Sequence, residues 1–140
     1  MTIENYLDPK HIIFLKAKTR DEAIASLVDV AHSTGKLKNR EAFEKAVLQR
    51  EEIVSTGVGV GVAIPHAKMP SIDDFFIIIG IQHSKGLDWD SLDGAVVKLI
   101  FLIGGPPDRQ TDYLQILSNI TSRIKHTPFR NALLHADDPS

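Results

Sequence analysis

Two nearly uninterrupted apolar runs, Phe75 to Ile81 and Val96 to Ile103, restrict this chain more than any other feature. A strand with one wet face alternates apolar and polar residues, whereas a β-branched run without that alternation belongs to a strand covered on both faces. Both runs fall far short of the ~20 residues that a membrane-crossing helix needs. They therefore predict the centre of a sheet with a layer on either side, and the layers can be found along the chain. Thr19 and Glu22 have capping-box spacing, Ala23, Ile24, Leu27, Val28 and Ala31 follow at helical period, and Gly35 supplies a stop. The spacing predicts a helix over Arg20 to Thr34. Asn39 is a candidate N-cap for a second helix ending near Glu52, with Phe43, Ala46, Val47 and Arg50 on one stripe. Beyond Gly104 to Pro107 the helical period returns with Tyr113, Leu114, Leu117, Ile120 and Ile124, and Thr127-Pro128 has the cap and first-turn proline of another helix. A short apolar run, Ile12 to Leu15, is suited to a further strand. Strands alternating with helices predict an α/β fold: a single-domain sandwich with a central mixed sheet of about 4–5 strands flanked by helices on both faces.

Composition narrows the function classes. The 140 residues carry 16 Lys and Arg against 18 Asp and Glu, a formal charge of −2, so no polybasic surface points to nucleic acid. A 43% hydrophobic content is enough to bury a core. The absence of cysteine removes disulfides, thiolate nucleophiles and cysteine zinc sites, and fits a reducing compartment. Met1 to Lys10 contains acidic residues and no apolar run of signal-peptide length, so the expected location is cytoplasmic, without direct membrane insertion.

The segment Ser55 to Lys68, STGVGVGVAIPHAK, carries the chemistry. Val58, Val60, Val62 and Ile64 alternate with Gly57, Gly59, Gly61 and Ala63, which predicts a strand with one bulky and one nearly bare face. Either a helix packs tightly on the bare face or a ligand approaches its backbone. A nucleotide cradle is rejected, because it needs a glycine loop opening a helix, and Pro65 stands where that helix would continue. His66 follows Pro65 at the end of the predicted strand, where α/β sheets present reactive groups. Proline fixes its own φ and holds Ile64 extended, so the imidazole is carried on stiff backbone. Imidazole is a nucleophile at neutral pH when one nitrogen attacks and a hydrogen bond to the other fixes the tautomer. The remaining histidines, His11, His32, His83, His126 and His135, have no metal-ligand spacing, and Asp88, Asp90 and Asp93 lack the full calcium-loop pattern and read as a solvated turn.

Three short motifs, Arg50-Glu51, Ser55-Thr56-Gly57 and Val62-Ala63-Ile64-Pro65-His66, together resemble the enzyme IIA family of the bacterial phosphoenolpyruvate-dependent sugar phosphotransferase system, in its mannitol, fructose and nitrogen-regulatory branch. Trp89-Asp90, Leu92-Asp93-Gly94 and the run Val97 to Ile103 before Pro106-Pro107 resemble the hairpin and central strand that follow in that family. The resemblance implies that His66 receives a phosphoryl group from a histidine of the small phosphocarrier protein HPr, or its nitrogen-branch counterpart. The group then passes to a cysteine of a IIB domain or acts as a signal to a regulated protein. It implies no cofactor and no metal. It places Arg50 beside the histidine, where a guanidinium fork matches phosphoryl oxygens. Ser55 and Thr56 are further candidates for the same oxygens. The family commonly has a second histidine in a His-Leu-x-x-Leu pattern where this chain reads Tyr113-Leu114-Gln115-Ile116-Leu117, so Tyr113 joins the candidate site in that histidine's place. A non-catalytic regulatory domain with the same fold is the alternative that this replacement implies. The family also carries a further C-terminal helix, and the residues ending at Ser140 resemble its start, implying a IIA-like domain over residues 1–140 that lacks it.

Overall fold

The structure is a computed structural model that describes residues 12–35, 37, 39–53, 57–59, 61–70, 72, 75–82, 86–89 and 96–124. The first helix, α1 (Arg20–Ser33), starts as its sequence dictates. Thr19 Oγ1 accepts from the Glu22 N–H at 3.1 Å, and Glu22 Oε2 accepts from the Thr19 N–H at 3.2 Å. Ala23, Ile24, Leu27, Val28 and Ala31 are its buried face. Thr34 caps it, and Gly35 follows at φ +81°. In α2 (Arg40–Ile53), Asn39 Oδ1 accepts from the Ala42 N–H at 3.0 Å, the capping bond that its position led one to expect. Arg40 ties α2 back onto α1 through an ion pair with Asp29 and a 3.4 Å bond from Nη2 to the Ala25 carbonyl.

Among the described residues the strands are β1 (Ile12–Leu15), β2 (Gly57–Gly59), β3 (Val62–Ala63), β4 (His66–Lys68), β5 (Phe76–Gln82) and β6 (Leu99–Gly105), forming one mixed sheet in the order β1-β5-β6-β3-β2. β4 also pairs with β6, parallel and in line with β3: Val62 and Ala63 sit opposite Leu99 and Ile100, and His66 to Lys68 opposite Ile103 to Gly105. The two short strands thus share one row of the sheet, giving five rows. The third helix, α3 (Gln110–Ile124), lies on the face opposite α1 and α2. The two central runs are apolar throughout because their residues alternate between two cores. Phe76, Ile78, Ile100 and Leu102 pack with Ile24, Leu27, Phe43 and Val47. Ile77, Ile79, Phe101 and Ile103 pack with Tyr113, Ile116 and Ile120.

The structure corrects two expectations. The Gly57 to Ile64 stretch is not one glycine-faced strand: β2 and β3 are antiparallel, and Gly61 at φ +80° makes the turn between them. The Gly61 carbonyl accepts from the N–H groups of Lys98 and Leu99, at 2.9 and 3.1 Å, anchoring that turn to the entry of β6. On α3 the buried stripe runs through Tyr113, Ile116 and Ile120, while Leu114 is 54% exposed. Asp88 is exposed, as expected of a solvated turn, while the adjacent Trp89 is buried in the α1–α2 core. The helix expected at Thr127-Pro128 lies outside the described residues.

Close approach is seen at the end of β6. A Cβ on Gly104 would lie 2.3 Å from Phe76 Cζ and 3.0 Å from Phe43 Cε1, and one on Gly105 would lie 2.2 Å from Phe75 Cδ1. Both aromatic contacts are in dense core that cannot yield without moving a ring. Gly104→Ala is expected to destabilise the protein by about 1–3 kcal/mol, the usual range for overpacking. Urea unfolding checks this, and a midpoint at or above the parent value would contradict it.

Candidate functional site

Pro65 interrupts the β3–β4 row, and the chain resumes pairing at His66. The Ile103 N–H donates to the Pro65 carbonyl at 3.0 Å, and the Met69 N–H to the Gly105 carbonyl at 2.9 Å, so β4 is fixed at both ends. His66 is consequently the first residue of a strand, not the tip of the preceding one as the sequence suggested. Its half-buried imidazole places Nδ1 2.8 Å from the Ile64 carbonyl oxygen. A carbonyl only accepts, so Nδ1 carries the proton and donates, leaving the Nε2 lone pair free to attack. Burial pushes the His66 pKa below its ordinary value, with the Arg50 and Lys68 charges acting in the same direction against the Ile64 bond and Glu51. The ring is therefore neutral at pH 7, the form a nucleophile needs.

Around it lies a cavity of about 420 Å³ lined by Ala46 and Arg50 of α2, His66, Ala67 and Lys68 of β4, and Tyr113 of α3. Helices from both faces of the sheet thus converge on this row. His66 and Lys68, two apart on a strand, share a face. The Tyr113 ring is held from three directions: His66 with centroids 5.6 Å apart, Phe75 stacked at 6.1 Å, and the Lys68 ammonium 4.6 Å from its centroid. A cation over an aromatic face contributes about 0.5–2 kcal/mol. Tyr113 is only 5% exposed, and its hydroxyl is buried without a hydrogen-bond partner among the described residues. Such an orphaned polar group costs about 1–3 kcal/mol. Burial pushes its pKa up to about 12, opposed by the Arg50 charge, so the phenol keeps its proton.

The structure brings together His66, Arg50 and Tyr113, while Ser55 and Thr56 lie outside the described residues. Two participants were missed by the sequence reading. Lys68 could have been noticed by its two-residue spacing from His66. Glu51 is 4% exposed and accepts from Trp89 Nε1 at 3.2 Å, which pins the last turn of α2 where Arg50 stands; only tertiary packing shows this pair. A larger cavity, about 540 Å³, lies at the opposite end of the sheet beside Lys16, Lys18 and Gln82, and has no histidine among the described residues that line it. Among the described residues no group of three or more His, Asp or Glu side chains could hold a metal, and no helix is long and apolar enough to cross a membrane.

With the imidazole, guanidinium and fold in view, comparison with known families decides the kinship: the family described as "Phosphoenolpyruvate-dependent sugar phosphotransferase system, EIIA 2" matches residues 5–140. The chain belongs to this EIIA family. It is similar to the fructose-specific EIIABC component of Bacillus subtilis, 36% identical over 130 residues, which are 91% of this chain and 20% of that protein. The chain thus spans about a fifth of that relative's length. Among solved structures, the nitrogen regulatory protein IIA-Ntr of Neisseria meningitidis superposes with a TM-score of 0.89 at 22% identity, covering 98% of this chain and 93% of that one. The enzyme IIA of the mannitol system of Escherichia coli, in complex with phosphorylated enzyme IIB, gives a TM-score of 0.78 at 17% identity over 94% and 90% of the two chains. At these identities the structural likenesses establish the shared fold.

Proposed function

We propose that this EIIA domain is a phosphohistidine carrier: His66 accepts a phosphoryl group from a histidine of HPr or its nitrogen-branch counterpart and passes it to a IIB protein or uses it as a regulatory signal in the cytoplasm. The observation that carries the reading is the His66 tautomer, with Nδ1–H held by the Ile64 carbonyl and Nε2 unprotonated in a cavity lined by Arg50. In the transfer, the Nε2 lone pair forms the new N–P bond while the donor's N–P bond breaks and its electron pair returns to the donor imidazole. The His66 Nδ1 proton stays where it is, so no proton need leave this chain. The transition state resembles metaphosphate and asks mainly for alignment and positive charge. Arg50 supplies the charge and a bidentate fork. Ser55, Thr56 and Tyr113 belong to the phosphoryl-binding shell in this reading. The similarity to a structure of enzyme IIA with phosphorylated enzyme IIB, and to a fused EIIABC component, supports a IIB domain as the acceptor.

Incubation with phosphoenolpyruvate, enzyme I and HPr, or the nitrogen-branch counterparts, tests this directly. Acid-labile phosphate on His66 is the expected result. An unlabelled wild type would instead support the regulatory, non-transferring domain that tyrosine in place of the family's second histidine favours. The pH dependence is a separate check. Because burial lowers the His66 pKa from its ordinary value, the neutral acceptor predominates at neutral pH and is lost as pH falls through that lowered pKa. Initial uptake corrected for the donor system should fall as the medium is acidified, with its midpoint below the ordinary histidine value. A midpoint above the ordinary histidine value would contradict the buried, neutral imidazole.

A further inference from the structure

The Tyr113 hydroxyl is the one polar group of this site that the unphosphorylated protein leaves buried and without a partner among the described residues. Its ring is clamped between His66, Phe75 and the Lys68 ammonium, so the hydroxyl cannot turn to solvent without undoing these contacts. Orphaned buried donors are uncommon in native structures and call for a functional explanation. Tyr113 lines a cavity together with His66, Arg50 and Lys68, where the guanidinium and the ammonium favour an anion. Resting on the carrier reading above, we propose that Tyr113 Oη and Lys68 Nζ form a second clamp on the phosphoryl oxygens of phosphorylated His66, in addition to the Arg50 fork. The hydroxyl donates a hydrogen bond to one oxygen, and the ammonium, held in place by the tyrosine ring, supplies a second positive charge. The transferred group provides the acceptor that the resting site lacks.

The arrangement also sets the proton chemistry of the phosphorylated state. Among the described residues, the charged and titratable groups around His66 and Tyr113 are Arg50 and Glu51 from α2, Lys68 from β4, and the Arg109–Asp112 pair at the start of α3, with Arg109 lying over the neighbouring Phe75 ring. Once His66 is phosphorylated, no group of the clamp is an imidazole. Tyr113 stays protonated to about pH 12, so the clamp does not titrate near neutrality. A histidine at position 113 would.

The test measures the equilibrium between phosphorylated HPr and this protein for the wild type, Tyr113→Phe, Lys68→Met, Lys68→Arg and Tyr113→His, together with the melting temperature of each unphosphorylated protein. Tyr113→Phe is expected to shift the equilibrium about tenfold towards HPr, the usual loss when a hydrogen bond to a charged group is removed. Its unphosphorylated form should melt at or above the wild-type temperature, because an unsatisfied group has been deleted. Lys68→Met should give a loss of similar size, and Lys68→Arg should recover most of it. Tyr113→His should introduce a pH dependence between pH 6 and 8 beyond any the wild type shows. Wild-type equilibrium constants in both Tyr113→Phe and Lys68→Met would overturn the clamp while leaving the carrier reading intact. A melting temperature lowered by Tyr113→Phe would also overturn it, since the hydroxyl would then have a partner at rest. Failure of the wild type to take up phosphate would remove the carrier reading, and this inference with it.

Discussion

His66→Gln is expected to fold like the wild type and to take up no phosphoryl group from phosphorylated HPr. Glutamine can still place a side-chain N–H near the Ile64 carbonyl, and the replaced bond is one of 2.8 Å on a half-buried ring, so the stability change should stay within about 1–2 kcal/mol. What glutamine lacks is a basic nitrogen. Its amide lone pair is delocalised and cannot form a transferable N–P bond, so the loss should be complete rather than partial. Labelling by radioactive phosphoenolpyruvate, read on neutral gels beside a thermal melt, separates loss of chemistry from loss of fold. Acid-labile label remaining on a folded His66→Gln protein would show that another residue is the acceptor.

Arg50→Gln should slow phosphoryl uptake by about 10²–10³-fold, the range seen when one preorganised donor to a developing anion is removed. Arg50→Lys should recover only part of this, because an ammonium restores charge but not the planar fork. The expected loss is in the transfer rate, since Arg50 is half-exposed on the last turn of α2 and contributes little to the core. The same substitution removes a positive charge that disfavours imidazolium, so the His66 pKa should rise towards its ordinary value. An Arg50→Gln protein that transfers at the wild-type rate, or whose His66 titrates lower than before, would contradict the placement of the guanidinium beside the ring. Rapid-quench transfer assays and histidine NMR titration measure the two effects independently.

Much of the fold was legible because its signals are local. The Thr19–Glu22 capping box and the Asn39 cap are decided within one helical turn, and both form as the residues require. The double covering of β5 and β6 was legible because a strand between two cores has no polar face to show. The glycine-rich stretch misled for a physical reason: alternating valine and glycine fits a straight strand and a hairpin equally well, and only the +80° φ at Gly61 separates them. The burial of Trp89 was not legible from the aspartates that flank it, since it is set by where Glu51 and the α1–α2 core lie. On α3, Leu114 and Ile116 are equally apolar, and only docking against β5 and β6 decides that Ile116 is buried. At the candidate site, the proximity of His66 and Arg50 was legible because a nucleophile candidate and an anion-binder candidate have distinctive chemistry and stand in a recognisable motif. Lys68 was not, since an isolated lysine is ordinarily a solvated side chain; its meaning comes from the tyrosine ring under its ammonium.

The central claim concerns a single atom, Nε2 of His66. Phosphorylating isotopically labelled protein and recording phosphorus and imidazole-nitrogen NMR identifies the nitrogen that bears the group. Phosphorus coupled to Nε2, with Nδ1 still protonated and bonded to the Ile64 carbonyl, is the result this structure requires. Phosphate on Nδ1, or on any residue other than His66, would contradict it.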